Sequence, residues 1–148
     1  MELLGAGAGA IALRERGTDE LLFRSVVGPV SDKLHRARTS MSKGILGWVS
    51  AQRQPLIVQE PQRDGRHDRE LADLLGYIPR NLICVPLIAE SDVMGALELL
   101  DKKDARPFDE NDRKLLSLIA GQVSRAIQLA RASRSTRLNS VAARPARA

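Results

Sequence analysis

Apolar residues are densest in residues 81–103, where two nearly continuous apolar runs flank one polar break. The runs NLICVPLIAES and VMGALELLDKK meet across Ser91 and Asp92. Continuous runs of this length are typical of strands covered on both faces of a sheet, so the pattern predicts two adjacent central strands. Pro86 favours a bulge or an edge position in the first strand, because proline has no N–H for the sheet ladder.

Shorter apolar patterns on the N-terminal side predict three more strands. Residues 9–17 and 20–28 predict a hairpin across a short Gly-Thr-Asp link, and residues 56–60 predict a short strand. Residues 29–42 are a polar connection without a clear period.

Two short helices are predicted between these strands. Residues 42–54 place apolar side chains at i, i+3 and i+4, with Ser42 as the predicted cap and Pro55 as the stop. Residues 68–75 predict a second helix, and Gly76 stands where a left-handed residue would end it.

A longer helical pattern begins after residue 108. Asp109 is the predicted N-cap, and Glu110 and Asp112 follow in the first turn, where the helix dipole favours acids. Four apolar residues spaced by four predict the stripe that faces the core: Leu115, Ile119, Val123 and Ile127.

The predicted elements run in the order strand, strand, helix, strand, helix, strand, strand, long helix. This order predicts an α+β domain built around a mainly antiparallel sheet. We assign the domain to residues 1–130. Residues 131–148 turn basic and low in complexity, and predict a linker or a disordered tail.

The composition is that of a soluble globular protein. The chain has 148 residues, of which 43% are apolar and 28% charged, and it is long enough for one buried core. No run approaches the ~20 apolar residues of a membrane span, and residues 1–10 lack the pattern of a secretory signal. One cysteine cannot form an internal disulfide, so we expect a cytoplasmic protein without membrane contact.

The net charge of +5 comes from the end of the chain. Five of the 23 basic residues follow residue 130 without an acid, and the other 18 are matched by 18 acidic residues. A neutral body lacks the electrostatic footprint of a nucleic-acid-binding fold, although a basic tail can contact phosphate.

Four stretches, in order, resemble the GAF domains of sensory and regulatory proteins. GILGWVSAQRQPLIV is similar to the family's Gly-Ile-x-Gly-x-Val helix and the strand after it, and RNLICVPL to its Arg-Ser-x-x-x-Val-Pro-Leu strand. VMGALELLDK is similar to its Val-x-Gly-x-Leu-x-Leu strand, and PFDENDRKLLSLIAGQVSRAI to its Phe-x-x-x-Asp final helix. The resemblance spans residues 9–130. It implies a PAS-related α+β fold, with a mainly antiparallel sheet flanked by helices, in a bacterial signalling protein.

The chain departs from this family in two places. GAF domains usually begin with a helix that pairs with the last one, and residues 1–10 leave almost no room for it. We expect that helix to be truncated or absent, and the chain to start late in it or to be a fragment of a longer protein. Cyclic-nucleotide-binding members carry Asn-Lys, then Phe, then Asp-Glu. The matching positions here hold Asp101, Lys102, Phe108, Asp112 and Arg113. These differences weaken the expectation of cyclic-nucleotide binding but leave it open, because the motif lies outside the pocket in the family.

The resemblance also implies a ligand pocket. In the family a small molecule lies between the sheet and the irregular segments that cover it, here residues 29–42 and 61–77. The expected lining residues are Phe23, Ile57, Asp64, His67, Tyr77 and Cys84. The alternative, in which side chains fill the cavity and the domain serves only to dimerise, stays open.

The final helix is the expected route to a partner. Small side chains on it would allow close packing against another helix, so we expect a parallel homodimer and an attached or partner output domain. The predicted contact residues are Leu116, Ala120, Ser124 and Ile127.

Cys84 has two interpretations, a reactive thiol and a packing residue. GAF-fold methionine sulfoxide reductases use more than one cysteine, so that disulfides form and are reduced again. This chain has one, inside an apolar run, and packing is the favoured interpretation.

The remaining motifs predict neither a metal site nor a dinucleotide site. His35 and His67 lie in polar runs, where we expect solvated side chains, and their spacing does not match zinc ligands. GAGAGA, residues 5–10, formally satisfies Gly-x-Gly-x-x-Ala but runs into a strand and opens no helix. The sequence identifies no cofactor.

We therefore expect a non-catalytic sensory or regulatory domain. It would bind a small molecule or mediate dimerisation, and would pass the signal through its last helix. Two alternatives remain open, a thiol-dependent reductase of GAF fold that uses Cys84 and a regulator whose basic tail contacts DNA.

Overall fold

The computed structural model describes residues 4–142. The strands are β1 (Ala6–Arg14), β2 (Glu20–Val27), β3 (Arg38–Ser40), β4 (Leu56–Val58), β5 (Leu82–Ala89) and β6 (Asp92–Lys102). The helices are α1 (Ser31–Leu34), α2 (Gly44–Gln52), α3 (Arg69–Leu75) and α4 (Glu110–Ala142). The six strands form one antiparallel sheet in the order β3-β2-β1-β6-β5-β4, which confirms the predicted α+β fold.

The two apolar runs pair as β5 and β6, as predicted, and both lie inside the sheet. β6 has β1 on one side and β5 on the other, with Val85 opposite Leu97. The ladder has a bulge between Leu87 and Ile88, close to Pro86. β4 pairs with residues 82–84, so proline lies beyond the end of that neighbour, where a missing N–H costs least.

Alternation along the strands builds one core on each face of the sheet. The face under α1, α2 and α3 buries Ala12, Phe23, Val49, Leu82, Cys84 and Ala96, among others. The face under α4 buries Ile83, Val85, Leu97, Leu99, Phe108 and Leu116, among others. The sheet is therefore sandwiched between helices, with little solvent contact along β5 and β6.

The two short predicted helices form, with one difference in their caps. The side chain of Asp68 accepts a hydrogen bond from the N–H of Leu71 at 3.0 Å, and Gly76 ends α3 with a φ of 65°. The predicted Ser42 cap is wrong, because the residue before α2 is Lys43 and its side chain makes no capping bond. The Ser42 N–H instead donates to Ser40 Oγ.

The polar connection at residues 29–42 contains α1 and β3, which the sequence did not predict. β3 has three residues and pairs with residues 20–22 of β2. Arg38 on this edge strand pairs with Glu15 and with Glu20, the latter at 2.9 Å. Such a short strand depends on its neighbour more than on its own pattern, so it leaves little periodic signal.

α4 packs on the sheet with a stripe rotated by about one residue from the predicted one. Leu116, Ala120 and Ser124 are at most 2% exposed, whereas Leu115 is 37% exposed. Ile119, Val123 and Ile127 lie at the edge of this stripe, partly buried against the same core. The predicted core position of Leu115 is therefore wrong, because side chains one residue along the helix face the sheet.

α4 also continues through residues 131–142, in the segment predicted as a linker or disordered tail. The sequence from residue 122 to 142 contains neither glycine nor proline, and eight of its 21 residues are Ala or Arg, which favour helix. Residues 131–142 are therefore helical, the assignment of the segment as a linker stays a prediction, and residues 143–148 lie outside the described range. The truncation or absence of a helix before the sheet stays a prediction, because it concerns residues 1–3, which also lie outside the described range; β1 begins at Ala6.

None of the helices in residues 4–142 has an apolar window long enough to cross a membrane.

Two helical glycines give a matched test of this packing. A Cβ at Gly47 in α2 would press on the carbonyl oxygen of Ser40 and lie 3.0 Å from the Met41 carbonyl carbon. A Cβ at Gly121 in α4 would meet nothing within 4 Å. We expect Gly47→Ala to lower the free energy of unfolding by about 1–3 kcal/mol. Gly121→Ala should raise it by about 1 kcal/mol through helix propensity.

Urea unfolding of both variants checks this prediction. Equal stabilisation by the two substitutions would show that α2 does not approach the chain at Ser40 as closely as the structure has it.

Candidate functional site

A cavity of about 90 Å³ lies between the sheet and the segments that cover one of its faces. β2, β5 and β6 supply its floor, including Phe23 and Glu98. α1, the start of α2, α3 and the residues after α3 supply its walls. Most side chains around it are apolar, as in sites for small molecules that use a few oriented polar groups.

The structure brings three of the six predicted pocket residues to this cavity. Phe23, His67 and Tyr77 line it, and they come from three different parts of the chain. Ile57, Asp64 and Cys84 are not among the lining residues.

Ile57 lies outside the cavity because successive side chains of a strand point to opposite faces of the sheet. In β4, Leu56 and Val58 pack with the core on the cavity side, and Ile57 between them packs with the core under α4. A strand of three residues gives no sequence signal for which face points inward.

The Asp64 carboxylate contacts Arg66 and does not line the cavity. It accepts hydrogen bonds from the Arg66 backbone N–H at 2.9 Å, from Nε at 2.8 Å and from Nη2 at 2.6 Å. The Arg66 guanidinium lies over the Trp48 ring, 4.7 Å from its centre. Arg66 holds the pKa of the Asp64 carboxyl below its usual value. This fork orders the loop before α3 and keeps Asp64 outside the cavity.

Cys84 packs inside the sheet with no exposed surface. It lies on the cavity side of β5, directly opposite Glu98 on β6. Burial, and then the neighbouring Glu98, raise the pKa of its thiol well above the usual value. A thiol in this position behaves as a small apolar side chain.

Glu98 is the polar group on the cavity floor that the sequence reasoning missed. Burial raises the pKa of its carboxyl to about 7, and no ion pair among residues 4–142 involves it. One signal was available, because Glu98 is the sole charged residue between Val93 and Leu100, in a strand predicted to be covered on both faces. An acid at such a position is either neutral or paired with a ligand.

Tyr77 closes one end of the cavity through a hydrogen bond to β6. Its hydroxyl donates to Asp101 Oδ2, and the Arg80 N–H donates to Asp101 Oδ1 at 2.7 Å. Burial, and then this hydrogen bond, raise the pKa of the Tyr77 phenol well above its usual value. The segment that follows α3 is thus tied to the end of β6.

The two histidines differ in their surroundings. His35 is exposed at the end of α1. His67 is half-buried on the cavity wall, where burial lowers the pKa of its imidazole, so it is less solvated than its polar sequence context suggests. Among residues 4–142, no group of three or more His, Cys, Asp or Glu side chains is placed to hold a metal ion.

Four of the five positions that match the cyclic-nucleotide motif lie where β6 ends and α4 begins, and none of these four lines the cavity. The fifth, Asp101, accepts the hydrogen bond from Tyr77 at the end of the cavity. Lys102 pairs with Asp112, and its ammonium lies 5.7 Å from the centre of the Phe108 ring. Asp109 and Asp112 cap each other's backbone N–H at 2.9 Å, which fixes the start of α4. This cluster is structural.

Comparison with known proteins gives one family. The family model described as "GAF domain" matches residues 1–128. Among curated proteins, the chain is 28% identical over 86 residues to the cone cGMP-specific 3',5'-cyclic phosphodiesterase subunit alpha' of Mus musculus. The match covers 58% of this chain and 10% of the mouse protein. The chain spans about a tenth or less of the length of the curated relatives it matches.

Solved structures share the fold. The GAF domain of a phosphoenolpyruvate-protein phosphotransferase from Coxiella burnetii superposes with a TM-score of 0.81 at 18% identity, covering 90% of this chain and 79% of that one. The free methionine-R-sulfoxide reductase of Neisseria meningitidis gives a TM-score of 0.73 at 23% identity, covering 89% and 73%. At these identities the likeness concerns the fold.

The Glu98 carboxyl gives a prediction about stability and pH. Its pKa is about 7 in the folded chain, against an ordinary value of 4.5. Because the folded chain holds the proton more tightly, the native protein should lose stability as the pH rises from 4.5 to about 7. Glu98→Gln removes that loss, so the variant should gain up to about 3 kcal/mol relative to the native protein across this window.

Urea unfolding at several pH values measures the difference. Glu90→Gln, at an exposed turn residue before β6, is the control and should give a constant difference. A constant difference for Glu98→Gln as well would mean that Glu98 is hydrated or paired in the folded protein.

Proposed function

The chain belongs to the GAF domain family, and from that premise we propose that it is a non-catalytic regulatory domain that binds a small molecule beside Glu98. The observation that carries this proposal is a largely apolar cavity with the half-buried Glu98 carboxyl on its floor, which no cation within residues 4–142 pairs with. A ligand that supplies a hydrogen-bond donor or a cation would offset the burial of that carboxyl.

The size of the cavity restricts the ligand. Its volume of about 90 Å³ is below the ~300 Å³ at which sites for drug-sized molecules begin. A small molecule with an ammonium or another donor group fits this space better than a nucleotide, which would require the covering segments to move. The departures at Asp101 and Arg113 from the cyclic-nucleotide motif support the same choice.

The sheet provides a short path from the cavity to α4. Glu98 faces the cavity, and its neighbours Leu97 and Leu99 face the opposite core. That core includes Leu116 and Ala120 of α4. A ligand that changes the charge or position of Glu98 acts on a strand that α4 covers from behind, so α4 carries the signal onward in this proposal.

The family has a catalytic branch, and Cys84 is what argues against it here. The reductase neighbour from Neisseria meningitidis shares the fold. A catalytic thiol needs an accessible thiolate with a lowered pKa, whereas Cys84 is fully buried with a raised pKa. We therefore propose regulation, in a cytoplasmic signalling protein, in preference to a reductase.

A homodimer through α4 remains part of the proposal, with a different contact face. Of the four predicted contact residues, Leu116, Ala120 and Ser124 are buried against their own sheet, and Ile127 is partly buried beside them. The buried three have no exposed surface to offer a partner, so we propose a different face of α4 for the contact. Leu118 and Leu129 are 70% and 64% exposed.

These two leucines share the outer face of α4. They are eleven residues apart, which is about three helical turns, and they point away from the sheet. We propose that this outer face, with Leu118 and Leu129, contacts the second copy.

Native mass spectrometry of the protein purified from its own host tests ligand binding. We expect a fraction of the chain to carry a small molecule of constant mass. Glu98→Gln should lower that fraction about tenfold or more, because one charge-assisted contact is lost, and Glu90→Gln should leave it unchanged. The bare mass alone from the native protein, or equal retention by Glu98→Gln, would contradict the proposed site.

Sedimentation velocity tests the dimer. Leu118→Glu with Leu129→Glu should shift the protein to monomer, because two like charges would face each other in a dry helix pair. Leu74→Glu, at a leucine that is 79% exposed on α3, is the control and should leave the dimer intact. A native protein that stays monomeric at high concentration would count against the proposal.

A further inference from the structure

Five arginines line a groove where the β1–β2 hairpin meets the distal part of α4. The groove has a volume of about 310 Å³ and lies on the face of the sheet opposite the cavity. Arg14, Arg16 and Arg24 line it from the hairpin, and Arg131 and Arg134 line it from the helix.

Nearby acids balance the charge of one of these arginines, Arg14, and leave the other four without an ion pair. Glu15 lines the same groove but pairs with Arg38. Asp19 at the hairpin turn pairs with Arg14 at 3.2 Å. Within residues 4–142, no ion pair closer than 4 Å involves the other four groove arginines, which are Arg16, Arg24, Arg131 and Arg134.

The arginines are close enough to repel one another. Partial burial, and then Arg16 and Arg24, lower the pKa of the Arg131 guanidinium. Like charges held together on two packed elements weaken the contact between them unless an anion occupies the space. Guanidinium groups from separate elements can also form several forked hydrogen bonds to one phosphate or carboxylate group.

We propose that this groove is a binding site for a compact, multiply charged phosphate compound that fastens the distal part of α4 to the β1–β2 hairpin. Two features favour a compact anion over a nucleic-acid strand. The arginines converge on one concave site, and the hairpin and body around them carry matched charge, without the extended basic stripe that follows a nucleic-acid backbone. The apolar floor formed by Leu13 and Leu22 limits the hydration of the bound anion.

An anion in this groove would affect how the distal part of α4 is held. Residues 131–138 lie beyond the part of α4 that packs on the main core, and the groove is where they meet the hairpin. An anion in the groove would hold this segment against the sheet, and its release would free it. The site is independent of the cavity beside Glu98, so failure of one leaves the other standing.

Thermal unfolding with inorganic tripolyphosphate tests binding. We expect the midpoint to rise with tripolyphosphate, and to rise far less with sodium chloride at the same ionic strength. Arg24→Gln with Arg131→Gln should raise the half-saturating concentration about tenfold or more. Arg125→Gln with Arg137→Gln removes the same charge from exposed positions of α4 outside the groove and should leave it unchanged.

A second measurement needs no ligand. At low ionic strength Arg131→Gln should unfold at a higher temperature than the native protein, because repulsion from Arg16 and Arg24 is removed, and added salt should shrink the gain. Arg125→Gln should show a smaller gain.

Three results would overturn the site. The first is that tripolyphosphate does not shift the midpoint, and the second is that both double variants lose the shift equally. The third is that a single-stranded oligonucleotide binds more tightly than tripolyphosphate, and that the control variant and the groove variant weaken this binding equally. The last result would identify a diffuse surface for nucleic acid in place of a compact site.

Discussion

The pairing of β6 with β1 and β5, inside a sheet that helices cover on both faces, is the constraint on which the rest of the structure depends. A strand in this position has no solvent side, so nearly every residue must be apolar or small. Gly95 shows how tight the packing is, because a Cβ there would press on the carbonyl oxygen of Ala12 and lie 2.9 Å from the Leu13 Cα. The small side chains of Ala12 and Ala96 allow α2 to pack closely on the same region.

The same constraint gives Glu98 its significance. A carboxyl in the middle of such a strand loses hydration without gaining an ion-pair partner, and its pKa rises to about 7. The free-energy cost of placing the carboxyl there is limited because Glu98 faces a small cavity. A ligand that supplies the missing hydrogen-bond donor would offset this cost. Since successive residues point to opposite faces, Leu97 and Leu99 place the packing of α4 directly behind the ligand site.

A second local feature, a cluster of arginines, is not evident from the overall charge of the chain. The body of the chain is neutral when its charges are counted, yet Arg16, Arg24, Arg131 and Arg134 meet in one groove. Two of these belong to the segment that looks like a basic tail, and two belong to the hairpin. Folding α4 beyond residue 130 brings the two sets together. A count of charges along the chain therefore describes the electrostatic field at long range, but it does not describe the positive field inside the groove.

The sequence determined the elements whose signals are local, such as the paired apolar runs, the Asp68 and Gly76 caps of α3 and the antiparallel α+β fold. It also carried the order of motifs that indicates the family. Only the tertiary structure decided which side of each element faces the core, because periodicity fixes the spacing of a stripe and packing fixes its rotation. For this reason Leu116, and not Leu115, lies in the core, and Ile57 lies outside the expected pocket. The arginine groove could not be predicted, because it is formed by segments that are distant in the sequence.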